Sequence, residues 1–583
     1  MGIAPKIFEG QTIYQPGVYT STNYVSQGGE PNAISNVVAV IGTSLGGIPY
    51  NASNLQDSEK VNIITSVNEA YNKLKGGPGY YMCEFFLTPT RDEALRKPSQ
   101  VLFFRVNPAT QSAIFIKDTN NNNVIKLTST DYGAHTNNIS KKISNGTIKG
   151  KKIEINYNGV NYLTYDNIDY ECFLIKYIGT GSDCTLTITA TQLTTNVSDN
   201  PSDNLTIDFS QYDTLGKVVN YILNNPNYQC ELRGNIDKPS TDLDVVSGVD
   251  IKTSPYTTTA NVQEIANYFN SSGIVKAEVV GNKTNVANDT SFTFLTGGSD
   301  GTPTITDWIN TFKLMEKFEI NHILVASGDP VIHSLASNHC AEMSNIVNKK
   351  NRTWASGASL NKTINEKIQE AKALNDARGI YFATPVKRFD YINNNQVVVF
   401  DPFYSAAFDA GIRYANNITI SSTFKAPNIL GVGEEYNNFE KDNLIKNGCS
   451  IISANNSNNF EITHCVSTYQ GSNLILNIPS MLRTADYITL DSQLKIKNRI
   501  ASLDRAPNSI IIKSIENYLI TNLLQFYKDN GLLTDDPYTG QKAFSNVSFR
   551  LVGDTFYFEF TGILPAPLHY VFVKQNFTIT GNA

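Results

Sequence analysis

Charge is scarce in this chain. Only 17% of its 583 residues are Asp, Glu, Lys or Arg, where soluble domains usually carry about 25%. Asn, Thr, Ser and Tyr take the vacant places, giving the polar, weakly charged surface that suits burial against partners. The net charge is −6 and no long basic run occurs. That argues against nucleic acid as the main partner, because phosphate binding needs a basic stripe. No stretch approaches the roughly 20 apolar residues of a membrane helix, so direct membrane insertion is not expected. The start lacks an apolar run of signal-peptide length. Gly2 is followed at position six by Lys6, not Ser or Thr, which removes a myristoylation reading. Cysteine is sparse and scattered: Cys83, Cys172, Cys184, Cys230, Cys340, Cys449 and Cys465, with no Cys-x-x-Cys pair. An odd, dispersed set reads as buried thiols made in a reducing cytoplasm, not a disulfide framework.

The chain is too long for one core, since single cores stop growing near roughly 250–300 residues. Three or four domains are expected. Val37-Val38-Ala39-Val40-Ile41-Gly42 and Val101-Leu102-Phe103-Phe104-Arg105-Val106 are continuous apolar runs that suit strands covered on both faces. A helical stretch near residues 58–75 between them gives a βαβ rhythm and a parallel sheet. From about 110 to 290 short alternating strands appear, such as Lys152-Ile153-Glu154-Ile155-Asn156-Tyr157, with one helix near 262–269. At 292 the βαβ rhythm resumes, with Thr306 capping a helix, a strand at His322-Ile323-Leu324-Val325, helices near 331–349, 363–375 and 405–415, and a strand at 379–383. After 440 come a hairpin, a helix near 483–502, an amphipathic helix over 509–528 and a hairpin turning at Gly553-Asp554.

These elements predict a multidomain α/β (α+β) protein: a βαβ core sheet with helices, a β-rich inserted outer domain, and extended strand arms at both ends. The expected divisions are an arm at 1–30, core at 31–109, insertion at 110–290, core at 291–440, a C-terminal domain at 441–568 and an arm at 569–583.

Motifs for chemistry are weak. The glycine-rich turn at residues 42–47 follows a strand but is neither Gly-x-Gly-x-x-Gly nor a Walker loop, so it reads as structural. The same holds for Gly297-Gly298-Ser299-Asp300-Gly301. His333 and His339 are six apart, on different helix faces, which is not a zinc-binding spacing. His464 and Cys465 point to opposite sides of a strand. Trp308 and Phe312 read as core. No nucleophile, base and orienter come together. No catalytic site, cofactor or metal is expected, and the chain does not read as an enzyme.

The two ends are rich in Tyr, Val, Phe and Ile. Such arms left free would expose aggregation-prone strands. Each can pair with its own sheet or be donated to a neighbouring molecule. The residues expected to make these contacts are Tyr14, Val18, Tyr19 and Tyr24 at one end and Tyr570, Phe572 and Phe577 at the other.

With these segments in hand, the chain resembles the contractile-tail sheath family of phages and related injection machines. The resemblance lies in Pro16-Gly17-Val18-Tyr19, Val38-Ala39-Val40-Ile41-Gly42-Thr43-Ser44-Leu45-Gly46-Gly47, Tyr132-Gly133-Ala134-His135-Thr136-Asn137-Asn138-Ile139, Phe294-Leu295-Thr296-Gly297-Gly298-Ser299-Asp300-Gly301 and Tyr570-Val571-Phe572-Val573-Lys574-Gln575, in that order. It implies a structural subunit in a virion tail, assembled in the host cytoplasm, that polymerises helically in stacked, hexameric rings around a tail tube. It implies contraction that drives the tube through a host envelope, with the tube, baseplate and tail terminator proteins as partners. It also implies that the C-terminal domain grips the tube, for which Lys495, Lys497, Arg499, Asp504 and Arg505 are the expected charged contacts. A cell-surface adhesin or phage receptor-binding protein is the competing class; a Rossmann-like transferase using residues 42–47 is a third.

Overall fold

The computed structural model describes residues 6–8, 11–13, 37–455, 457, 459–503 and 508–575. The chain divides into two compact units, one comprising Met1–Ser44, Pro49–Pro108 and Thr302–Ala583, the other Leu45–Ile48 and Ala109–Gly301. It has the mixed α/β, multidomain character expected from its sequence.

The first unit is built on an eight-stranded sheet. From one edge to the other its strands are Phe460–His464, Cys449–Ala454, Gly379–Phe382, Thr353–Gly357, His322–Val325, Val38–Gly42, Val101–Arg105 and Asn62–Ile64. The two edge strands are antiparallel to their neighbours and the rest are parallel. Side chains alternate across a strand, and Val38–Gly42 shows why its apolar run is unbroken. Val38 and Val40 enter a core that includes helices Pro78–Leu87 and Ser405–Ala415. Ala39 and Ile41 enter the opposite core, with helices Ile305–Met315 and Pro330–Met343. Burying each such side chain contributes about 1.5–3 kcal/mol, and a polar residue on either face would forfeit it.

Two local readings are corrected. The stretch near 58–75 is not one helix. It forms a short turn at Asp57–Lys60, the edge strand Asn62–Ile64 and helix Val67–Leu74. The β-branched run Val61-Asn62-Ile63-Ile64 pairs with Val101–Arg105, and Ser66 starts the helix by accepting from the Glu69 N–H. The cap of helix Ile305–Met315 is Thr304, not Thr306; Thr304 and Asp307 form a reciprocal capping box. At the other end of the chain Lys6–Phe8 pairs antiparallel with Gln11–Ile13.

The same unit continues into a C-terminal region. Helix Pro479–Ala501 is followed by Ser509–Tyr518, which runs through a π-helical segment Leu519–Leu524 into Gln525–Asp529. Strands Phe544–Val552 and Thr555–Gly562 form a hairpin. Leu519, Leu523, Leu524 and Tyr527 pack with Met481 and Ala485 in a core of their own.

The second unit consists of small antiparallel sheets. Val160–Ile168, Lys151–Tyr157, Ile139–Asn145 and Thr293–Phe294 make one, and Val275–Val279, Asn123–Ser129 and Ala113–Lys117 another. They share a core with helix Asn261–Ser271. A separate core, around Phe173, Leu186 and Val218, holds the two remaining sheets and helix Leu215–Leu223.

Candidate functional site

The glycine-rich turn at residues 42–47 follows strand Val38–Gly42. In the eight-stranded sheet, strand order reverses between Val38–Gly42 and His322–Val325, where open α/β sheets bind their ligands beyond the carboxyl ends of the strands. Here that crevice is filled by protein. A Cβ on Gly42 would meet the Ala326 Cβ at 2.6 Å, and one on Gly79 would meet the Phe103 ring at 2.2 Å. The Gly79 N–H donates to the Thr43 carbonyl at 2.8 Å. The amide of Ser44 and the side chain of Asn107 exchange hydrogen bonds of 3.1 and 3.0 Å. The turn is a packing device that admits helix Pro78–Leu87.

Three of the sequence phrases that carry the sheath resemblance meet in the second unit. His135 Nδ1 lies 3.1 Å from the Leu45 carbonyl, and Asp131 accepts from the Gly47 N–H at 2.9 Å. The Asn137 side chain exchanges hydrogen bonds of 2.8 and 2.9 Å with the backbone of Gly298. Asp300 accepts from the Ala134 N–H. At Gly133, φ is +129° and a Cβ would lie 2.2 Å from the Leu45 carbonyl, so no other residue fits. Phrases far apart in sequence thus form one junction at the points where the chain enters and leaves this unit.

His322, His333, His339 and His464 are buried and dispersed. His333 hydrogen-bonds Ser327 and Ser356, and His339 faces the Arg352 guanidinium at 2.8 Å. His464 packs edge-on against His569 at 4.8 Å, while Cys465 lies beside Asp409 at 3.2 Å. Trp308 and Phe312 are core residues, 6% and 4% exposed.

The C-terminal region combines what an assembly surface requires. The hairpin Phe544–Val552/Thr555–Gly562 stands as a two-stranded sheet among the described residues. Such a ribbon is marginal by itself. Phe549, Phe556, Phe558 and Phe560 stack in a row, with centroids 5.3–5.9 Å apart, and pack on the helical core. Leu551 and Val552, near its turn, are half exposed. Beyond the hairpin, Leu564 is buried, and then the chain changes character. Leu568, Tyr570, Val571, Phe572 and Val573 are 66–94% exposed. Residues 570–575 lie in no strand. At the base of this segment Ser421 Oγ lies 3.2 Å from His569 Nε2, and the Tyr570 ring is 6.2 Å from His464.

Of the expected arm contacts, Tyr570 and Phe572 are therefore exposed; Tyr14, Val18, Tyr19, Tyr24 and Phe577 lie outside the described residues. Of the expected tube contacts, Lys497 is exposed on helix Pro479–Ala501. Lys495 is engaged within the chain, 2.7 Å from Asp491 and 3.6 Å above the Phe526 ring. Arg499 donates to Ser514 at 2.8 Å and lies over Tyr518. Asp504 and Arg505 lie outside the described residues. Leu494 and Ile500, both about half exposed, were not singled out in the sequence, although they punctuate the same helix as the charged residues.

Sequence reasoning also passed over a buried polar network. Asp409 accepts from Arg413 Nε and Nη2 at 2.7 and 2.5 Å and from Ser422 at 2.5 Å. His322 hydrogen-bonds Thr353 at 2.8 Å and stacks on Tyr414. The Arg413 guanidinium holds the Asp409 carboxyl below its usual range against the effect of burial, which acts in the other direction. Two opposite charges spaced i, i+4 in the otherwise apolar Ser405–Ala415 were the available signal.

Comparison with known proteins supplies the family context. No family model matches the chain. The chain is similar to the tail sheath protein of Bacillus phage SP01, with 23% identity over 588 residues that cover 98% of this chain and 96% of that protein. Its fold is that of solved sheath tail proteins from Listeria innocua (TM-score 0.53, 12% identity, 92% of this chain and 96% of that one) and Desulfitobacterium hafniense (TM-score 0.51, 14% identity, 94% and 100%). The resemblance drawn from the ordered phrases is borne out: the likeness to phage tail sheath proteins runs nearly end to end. It supports a structural subunit of a tail sheath.

Proposed function

We propose that this chain polymerises helically, as stacked six-membered rings, around a tail tube, and that contraction of the polymer drives the tube through a host envelope. Its partners in this reading are further copies of itself, the tube protein, the baseplate and the tail terminator, and it is assembled in the host cytoplasm. Its work is assembly and repacking, not bond chemistry. The observation that carries the reading is the C-terminal segment: five large apolar side chains, Leu568 and residues 570–573, are exposed and have no strand partner among the described residues. A soluble monomer has no use for such a segment, and a polymer does. Residues 570–579, fully extended, span about 33 Å, roughly the width of a domain. An added strand makes about four to six backbone hydrogen bonds, each contributing about 0.5–1.5 kcal/mol. Cores can then slide while the strand pairing persists.

Arm contacts at Tyr14, Val18, Tyr19, Tyr24, Tyr570, Phe572 and Phe577 belong to this proposal. So does tube contact through the exposed half of helix Pro479–Ala501, centred on Lys497, and a peripheral role for the unit that contains residues 109–301. Electron microscopy of the purified chain tests it. Long hollow cylinders support the sheath; discrete trimers would favour an adhesin, and compact monomers an enzyme.

A further inference from the structure

Where the C-terminal segment leaves the body of the first unit, two imidazoles meet. His464 ends strand Phe460–His464 and is 8% exposed. His569 lies beyond buried Leu564, on a stretch that belongs to no strand. The rings pack edge-on with centroids 4.8 Å apart. Hydroxyls, not carboxylates, meet their nitrogens. Ser421 Oγ lies 3.2 Å from His569 Nε2, and Thr423 Oγ1 lies 3.4 Å from His464 Nδ1. The Phe424 ring stands edge-on to His569 at 6.4 Å, and the Tyr570 ring is 6.2 Å from His464.

The pair borders a cavity of about 330 Å³, against the roughly 10–15 Å³ needed to hold one water, so protons reach it. Helix Asn438–Lys446 brings Lys446 to this cavity and the loop after the strand brings Tyr469; among the described residues no carboxylate lines it. Asp409, on helix Ser405–Ala415, reaches Cys465 beside His464, but both its oxygens are taken by Arg413. Glu461, on the strand of His464 itself, accepts from Asn455. Lys425 and Lys574, which follow on the two segments that meet here, are cations. A proton on either ring therefore meets burial and no counter-ion, and protons on both set like charges against each other. Burial and His569 hold His464 down to about 4, and burial lowers His569 as well.

We propose that the two histidines form an acid-operated latch: neutral, they hold the root of the C-terminal segment on the body; protonated, they part and the root swings free. His464 is fixed by the pairing of its strand with Cys449–Ala454, so His569 is the one that moves. The fixed point of the segment then retreats toward Leu564, adding about 16 Å to its reach. The docked state has the lower proton affinity. Docking is therefore complete above the free imidazole value of about 6.5 and is lost as pH falls toward about 4. That the freed segment joins a neighbouring chain rests on the sheath reading; the latch does not.

Fluorine NMR of the unassembled full-length chain carrying 3-fluorotyrosine at position 570 tests it. The resonance should pass from a docked to a free position between about pH 6.5 and 4.5, more steeply than one proton allows, while circular dichroism stays native. His569→Arg, charged throughout, should show the free position already at about pH 7.5, with an unchanged melting curve. His569→Phe keeps a ring and removes one proton site. It should lower the midpoint by about one pH unit or more and reduce the slope to a single proton. The latch is overturned by a resonance that stays docked throughout, by one that moves only as the circular dichroism is lost, by a docked His569→Arg, or by a His569→Phe midpoint equal to that of the wild type. None of these outcomes bears on whether the chain polymerises.

Discussion

The eight-stranded sheet of the first unit is parallel except at its edges, whereas the described sheets of the second are antiparallel throughout. Val38–Gly42 lies beside His322–Val325, so the parallel sheet closes only after all of the second unit has been made. Within the second unit Ala113–Lys117 pairs with Asn123–Ser129, and Ile139–Asn145 with Lys151–Tyr157 and then Val160–Ile168. Local antiparallel pairing forms faster than long-range parallel pairing. The units also differ in what they bury. His322, His333, His339 and His464 and the guanidinium groups of Arg352, Arg388, Arg413 and Arg483 are buried in the first. Among the described residues of the second, the buried charged side chains are Lys141, Asp118 and Asp203. One unit rests on a parallel sheet and buried charge, the other on antiparallel sheets and apolar cores.

The sharpest way to break this contrast is to remove one buried charge. Asp409→Ala leaves Arg413 unpaired in the interior, which destabilises by about 3–5 kcal/mol. It should lower the first unit's calorimetric transition and leave the second unit's in place. Leu186→Ala in the core of the second unit should do the reverse, at about 2–5 kcal/mol. A single transition moved equally by both substitutions would show that the units unfold as one.

Acid should discriminate between the units next. Burial holds His333 and His464 down to about 4 and His339 to about 3, and lowers His322 as well. Their folded values lie below the unfolded value of about 6.5. The unfolded chain therefore binds more protons between about pH 6.5 and 4, and stability falls as pH drops through that window. Each histidine contributes up to about 3 kcal/mol. Glu84, raised to about 7 by burial, acts in the opposite sense and offsets part of the loss. In the second unit burial raises Asp244, which also gains on acidification. Circular dichroism melts at pH 7 and 4.5 should show the first unit losing stability and the second nearly unchanged.

The smallest effect is expected at the surface. Lys497→Glu should alter folding by less than about 0.5 kcal/mol. If helix Pro479–Ala501 touches the tube, the same change weakens tube binding most at low salt. Unchanged tube binding at low salt would remove Lys497 from the contact.

The core sheet was legible because its strands are apolar on both faces, and residues 38–42, 101–105 and 322–325 carry no competing signal. The helices expected near 363–375 and 405–415 stand at Ile364–Leu374 and Ser405–Ala415. The region 58–75 was not. Its charged, helix-favouring residues outweighed the short β-branched run that the edge of the sheet captures. Thr304 was missed because Thr306 also precedes an apolar face, and only the reciprocal bond with Asp307 distinguishes them. The candidate site was half legible. Exposed apolar residues near 570 could be read from composition, but the charged residues of 495–499 could not be sorted. Whether a lysine faces solvent or lies over Phe526 depends on a helix packed from elsewhere.

The central claim is that the exposed C-terminal segment turns a folded chain into a polymer. Electron microscopy of the full-length chain beside one lacking residues 569–583, with melting curves for both, tests it most directly. The account predicts hollow cylinders from the full chain, and soluble monomers with the same melting transitions from the shortened one. Cylinders built by the shortened chain would contradict it.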